Sequence, residues 1–113
     1  MTMNERPMRG AGATAHDHDA VARLLHALAD PSRLALVHLL TGTERRVVDL
    51  TRELGLAQST VSAHLTMLRD AGVVAVRREG RSSWYRLLRP EVAHLLADAE
   101  HVALAAVPHE EAS

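Results

Sequence analysis

The 113-residue sequence predicts a mainly α domain: five helices, with one small β hairpin between the fourth and the fifth. Three observations predict it. Apolar residues recur at i, i+3 or i+4, and i+7 in successive stretches, the spacing of helices with one dry face. Two short runs, 73–76 and 82–87, flank Glu79-Gly80-Arg81, where glycine supplies the positive φ of a tight hairpin. Asp30-Pro31, Gly42, Gly55, Gly72 and Pro90 punctuate the periodic stretches.

The length fits one domain with a real core. Residues 1–15 hold Pro7, Gly10, Gly12 and few large apolar groups, and read as a disordered arm. Residues 16–106 are expected to fold, and 107–113 to form an acidic tail. No apolar run of about 18 residues is present, so no membrane partner is expected. No signal core opens the chain, so the expected location is cytoplasmic. The absence of cysteine excludes disulfides, thiolate metal sites and cysteine redox sensing. The formal net charge is −1, but it is unevenly spread. Residues 43–89 carry nine Arg against five acids, whereas 90–113 carry five acids and no Arg. A local basic block attracts phosphate whatever the whole chain carries.

In chain order, His16-Asp17-His18-Asp19 opens the first helix, whose acids suit its positive end. Val21, Leu24, Leu25 and Leu28 form its apolar face. His16 and His18 are either a solvated cap or a pair of metal ligands. Asp30 can cap the second helix with Pro31 in its first turn. Leu34, Ala35, Leu36, Val37, Leu39 and Leu40 make that helix apolar nearly all round, so it is expected to be central and buried. After a loop at 43–46, with room for a short strand into Val47, residues 48–54 form a short third helix. Gly55-Leu56-Ala57 is a tight turn.

The fourth helix follows. Val61, Leu65 and Leu68 form a dry stripe, while Gln58, Ser59, Thr60, Ser62 and His64 crowd the first two turns on other faces. These side chains are short or amide-bearing hydrogen-bonding groups. An ordinary surface helix would more usually carry Glu and Lys or Arg there. A polar-fronted helix after a short helix and a Gly turn is a helix-turn-helix, built to read base edges in a groove. In the hairpin, Arg77, Arg78 and Arg81 cluster at the tip, a wing placed to touch phosphate or a minor groove. Trp84 and Tyr85, the only aromatics of the Phe, Tyr and Trp class, are assigned to packing before base stacking. Val92, Leu95, Leu96, Ala99, Val102, Ala103 and Ala106 form the apolar face of the last helix, between Pro90 and Pro108. Too little chain remains to cover it, so dimerisation through the terminal helices is expected.

This winged helix-turn-helix resembles the ArsR/SmtB transcriptional repressors over roughly residues 17–106. The carrying motifs are Leu28-Ala29-Asp30-Pro31-Ser32-Arg33-Leu34, Val48-Asp49-Leu50, Gln58-Ser59-Thr60-Val61-Ser62-Ala63-His64-Leu65, and Gly80-Arg81-Ser82 leading to Tyr85. The resemblance implies a homodimer on a palindromic double-stranded operator, with a reading helix in each of two successive major grooves. By that pattern Gln58, Ser59, Ser62 and His64 contact DNA; the polar front adds Thr60. Gln58 has the geometry to pair bidentately with adenine. Arg77, Arg78 and Arg81 would hold the backbone or minor groove.

Members of the family are usually released from DNA by a metal or another inducer. With no cysteine, the resemblance points to a nitrogen/oxygen site for zinc, nickel or cobalt on the last helix. Glu91, His94, Asp98 and His101 fall within an arc of about 80° at about 100° per residue. They span about 15 Å along the axis, too far for one ion in one chain. An antiparallel helix pair would bring Glu91 of one subunit toward His101 of the other. The positions equivalent to the usual zinc set are Arg89, Glu91, Val102 and Ala105, of which only Glu91 ligates. Ala99-Glu100-His101 followed by His109-Glu110 is similar instead to a nickel/cobalt-sensing subgroup, with His16 and His18 available to complete an octahedral set. Glu100 faces away from the first stripe, so the two ligand sets are alternatives. A metal-independent repressor of the same family is the other reading. A histidine-rich metal buffer would leave the reading helix and wing without a purpose. No organic cofactor and no enzymatic activity are expected: there is no Gly-rich phosphate loop, and DNA reading accounts for Ser59, Ser62 and His64.

Overall fold

The structure is a computed structural model and describes residues 16–105. The expected arm at 1–15, His109 and the acidic tail at 107–113 lie outside the described residues. In chain order the elements are α1 (His18–Leu28), α2 (Pro31–Leu39), β1 (Arg45–Arg46), α3 (Val47–Leu54), α4 (Gln58–Asp70), β2 (Val74–Glu79), β3 (Ser82–Leu87) and α5 (Glu91–Ala105).

Local chemistry sets the helix boundaries. Asp17 accepts from the Ala20 amide at 3.0 Å and caps α1. Asp30 accepts from the Ser32 and Arg33 amides at 2.9 and 3.1 Å, with Pro31 in the first turn of α2. The amide bond from Arg33 leads the causes that hold the Asp30 carboxyl below its usual range. At the far end of α4, Gly72 takes φ +78°. The Gly72 amide donates to Arg69 and the Val73 amide to Leu68, both at 2.9 Å, the two bonds of a Schellman stop.

The wing is more than a hairpin. β1 joins it to give a three-stranded antiparallel sheet of order β1-β3-β2. Arg45 pairs with Tyr85 and Arg46 with Trp84, while β2 runs from Val74 opposite Leu87 to Glu79 opposite Ser82. A two-residue basic strand has no periodicity of its own and is defined only by its partner. Gly80, at φ +61°, opens the two-residue turn, the position that demands glycine in a II′ hairpin.

One core joins these elements. Leu36, Val37 and Leu40 meet Leu50, the α4 stripe Val61, Leu65 and Leu68, and Val73 and Val74, with Leu28 and Val92 at its edges. Tyr85 and Leu87 pack on it from β3. One expectation is corrected here: α2 is buried on one face only. Leu34 is exposed and Leu39 half-buried, because no other part of the described chain covers that side. α5 is seated on α2 through Val92 and Leu96, and every residue from 97 to 105 is exposed.

Candidate nucleic-acid interface

α3, the turn at Gly55 and α4 form the helix-turn-helix, and the buried stripe of α4 fixes which side faces out. Gln58, Ser59 and Thr60 are exposed and Ser62 is half-buried. Among the described residues none of these four side chains has a hydrogen-bond partner within the protein. No side chain caps the start of α4, which leaves its first amides and positive dipole end open to an anion.

His64 is placed differently. Its side chain is 19 % exposed, with Nε2 3.9 Å from Asp30 Oδ2. Its Nδ1 lies 3.2 Å from Arg33 Nη1. Arg33 itself is only 9 % exposed. In the sequence Arg33 stands only within the Leu28–Leu34 motif, with no partner of its own. The missed signal was a basic residue in the first turn of a helix, three positions after its capping Asp.

The wing divides its arginines in a way the sequence did not reveal. Arg77 forms a bidentate pair with Glu44, Nε and Nη2 each donating at 2.9 Å, and Nη1 donates to Glu79 at 3.0 Å. The Arg77 bond leads the causes that lower the Glu44 carboxyl, and Glu44 leads those that hold the Arg77 guanidinium charged. Arg77 thus ties the hairpin to the loop before β1. Trp84 lies in the same cross-strand row, with the Arg77 and Arg46 guanidinium carbons 5.4 and 5.8 Å from its ring centre. Arg46 also donates to Asp49 at 3.2 Å, the leading cause of that carboxyl's lowered pKa. Arg78 and Arg81 make no side-chain hydrogen bond or ion pair among the described residues, so the tip offers two free cations.

On α5, Glu91, His94, Asp98 and His101 are all exposed. No three ligand-type side chains converge on one point among the described residues. His16 and His18 have ring centres 5.6 Å apart at the start of α1. No described helix is long and apolar enough to cross a membrane.

Comparison with known proteins agrees with this geometry. Residues 30–76 match the model of the bacterial regulatory protein, arsR family. The transcriptional regulator Rv0081 of Mycobacterium tuberculosis is 40 % identical over 82 residues, 72 % of each chain. The chain belongs to the arsR family. The crystal structure of Rv0081 superposes with a TM-score of 0.72 at 36 % identity, covering 80 % of this chain and 91 % of that one. A homodimeric winged helix-turn-helix DNA-binding domain from Mycobacterium bovis superposes at 0.70 with 38 % identity over 84 % of both chains. The transcriptional repressor SmtB of Mycobacterium tuberculosis is 44 % identical over 81 residues, 72 % of this chain. A probable mercury resistance operon repressor of Streptomyces lividans is 40 % identical over 78 residues, 69 % of this chain. The matches span 60 % and 62 % of those two repressors' lengths. These arsR-family relatives are named as regulators, in agreement with the expectation that the chain is not an enzyme.

Proposed function

We propose that this arsR-family chain is a DNA-binding transcriptional repressor, a homodimer that sets two copies of α4 in successive major grooves of a palindromic operator. One observation carries the reading: four unpartnered polar side chains, Gln58, Ser59, Thr60 and Ser62, stand at the open end of a helix whose apolar stripe is fully buried. Arg78 and Arg81 supply cations at the wing tip for the phosphates. Arg77, held by Glu44 and Glu79, shapes the wing more than it grips. The test is binding to a duplex that the protein itself enriches from a random pool. Gln58→Ala and Ser62→Ala should each lower specific affinity, by about 1–3 kcal/mol where a bidentate base contact is lost. Arg81→Ala should weaken binding to all sequences and reduce the salt slope by about 1. Unchanged affinity in the first pair removes α4 as the reading element; an unchanged slope removes the wing tip.

The proposed inducer is a first-row divalent ion, nickel, cobalt or zinc, on α5. The imidazole and carboxylate donors of Glu91, His94, Asp98 and His101 suit such an ion in kind. They do not close on it within one protomer, since they run along the helix instead of converging. The ion would therefore be held between two α5 helices. Binding there would bias the relative orientation of the protomers and so the spacing of the reading helices. Titrating each metal into the protein–operator complex should release DNA, and His101→Ala should abolish the response. No release at saturation leaves a metal-independent repressor of the same family.

A further inference from the structure

We propose that Arg33 and His64 form a latch that sets the rotation of α4, so that both are positioning residues for DNA reading and neither touches DNA. The inference rests on the reading of α4 as the recognition helix. A buried apolar stripe fixes which side of a helix faces inward, but its attraction is non-directional and tolerates small rotations. A directional bond on the flank removes that freedom. At about 100° per residue, His64 lies about 60° to one side of Val61, while Gln58 and Ser62 lie about 60° and 100° to the other. Turning α4 to release His64 therefore moves the reading side chains as one body.

The structure supplies that bond once. Among the described residues, the contact between Arg33 Nη1 and His64 Nδ1 at 3.2 Å is the one side-chain hydrogen bond that ties α4 to another element. Its anchor is rigid. Arg33 Nε donates to the Ala27 carbonyl at 2.6 Å, which Pro31 four residues on cannot serve, and Nη2 lies 3.5 Å from the His26 carbonyl, which already accepts from the Ala29 amide. A guanidinium has no acceptor, so His64 Nδ1 must accept and the imidazole proton sits on Nε2, toward Asp30. Asp30 in turn holds the Arg33 backbone amide. Three helices thus meet at one side chain: α1 through its terminal carbonyls, α2 through its cap and α4 through His64. α1 also presents the unpartnered Val21 and Leu25 on its outer side.

The test compares specific with non-specific affinity, using the duplex enriched by wild-type protein and a shuffled duplex of the same length. His64→Ala should lower this ratio about tenfold while leaving the salt slope unchanged, because no phosphate contact is lost. His64→Asn, whose Oδ1 stands near the Nδ1 position, should restore most of it. Arg33→Met should match His64→Ala, and the double variant should be no worse than either. In nitrogen NMR spectra the His64 Nδ1 signal should carry the shift of a hydrogen-bonded acceptor in wild type and lose it in Arg33→Met. Additive losses, a changed salt slope in His64→Ala, or a folded Arg33→Met with full discrimination would each overturn the latch. If Arg33→Met fails to fold, the His64→Ala and His64→Asn pair decides alone: equal discrimination in both refutes the proposal. If wild type enriches no sequence, the DNA-reading function fails first and the latch falls with it.

Discussion

Leu65→Ala should lower the thermal midpoint further than any polar substitution on the same helix. Leu65 is fully buried, between Val61 and Leu68 on α4 and against the leucines of α2 and α3. Removing its branched end costs about 2–5 kcal/mol, the lost transfer energy plus the cavity left behind. A domain of this size holds only about 5–15 kcal/mol in total. At roughly 4–8 °C per kcal/mol, a fall of about 8–40 °C follows. Gln58→Ala, by contrast, removes an exposed side chain without an internal partner and should change stability by less than about 0.5 kcal/mol. One helix thus separates the two properties: its back sets stability and its front sets affinity. Circular dichroism melts at a fixed protein concentration make the comparison, since self-association would shift the midpoint by mass action. A loss below about 1 kcal/mol for Leu65→Ala would show that the site collapses easily and that α4 is not seated on a close-packed core.

Particular residues show what a sequence of this kind discloses. The stripe Val61, Leu65 and Leu68 was legible because helical periodicity and burial are the same fact seen twice, and all three are fully buried. Asp30-Pro31 and Gly80 were legible because caps and tight turns are local chemistry. The partners of Arg77 and Arg33 were not. Glu44 is 33 residues from Arg77 and His64 is 31 from Arg33, so no local pattern joins them. That limit matters for function, because it decides which arginines of the wing are free and turns His64 inward. The one-sided burial of α2 has a related reason: a run of apolar residues does not say what covers them. The metal reading stands at the same boundary. The donor stripe on α5 is plain in the sequence, but whether donors converge depends on a second chain.

Val102→Glu should convert the protein to a monomer and remove most operator affinity while α4 stays folded. Val102 is 65 % exposed and Leu104 72 %. Both lie in the half of α5 that runs beyond its last core contact at Leu96. Nine exposed residues of helix have little reason to stay helical alone, because isolated segments below about 12–15 residues are marginal in water. Apolar groups in such a segment mark an interface, and Val21 and Leu25 on α1 are exposed apolar groups as well. Two-fold symmetry makes each substitution count twice, so Val102→Glu sets two carboxylates into the proposed interface. An unpaired buried charge costs about 3–5 kcal/mol, which weakens self-association more than about 100-fold. Sedimentation should show a monomer at concentrations where wild type is dimeric. The variant should bind a palindromic duplex no better than a half-site, because each α4 then finds its groove alone. A variant that remains dimeric would move the interface off this face of α5. A monomer with undiminished affinity for the palindrome would show that reading does not need the pair, and the route from α5 to the DNA would lose its basis.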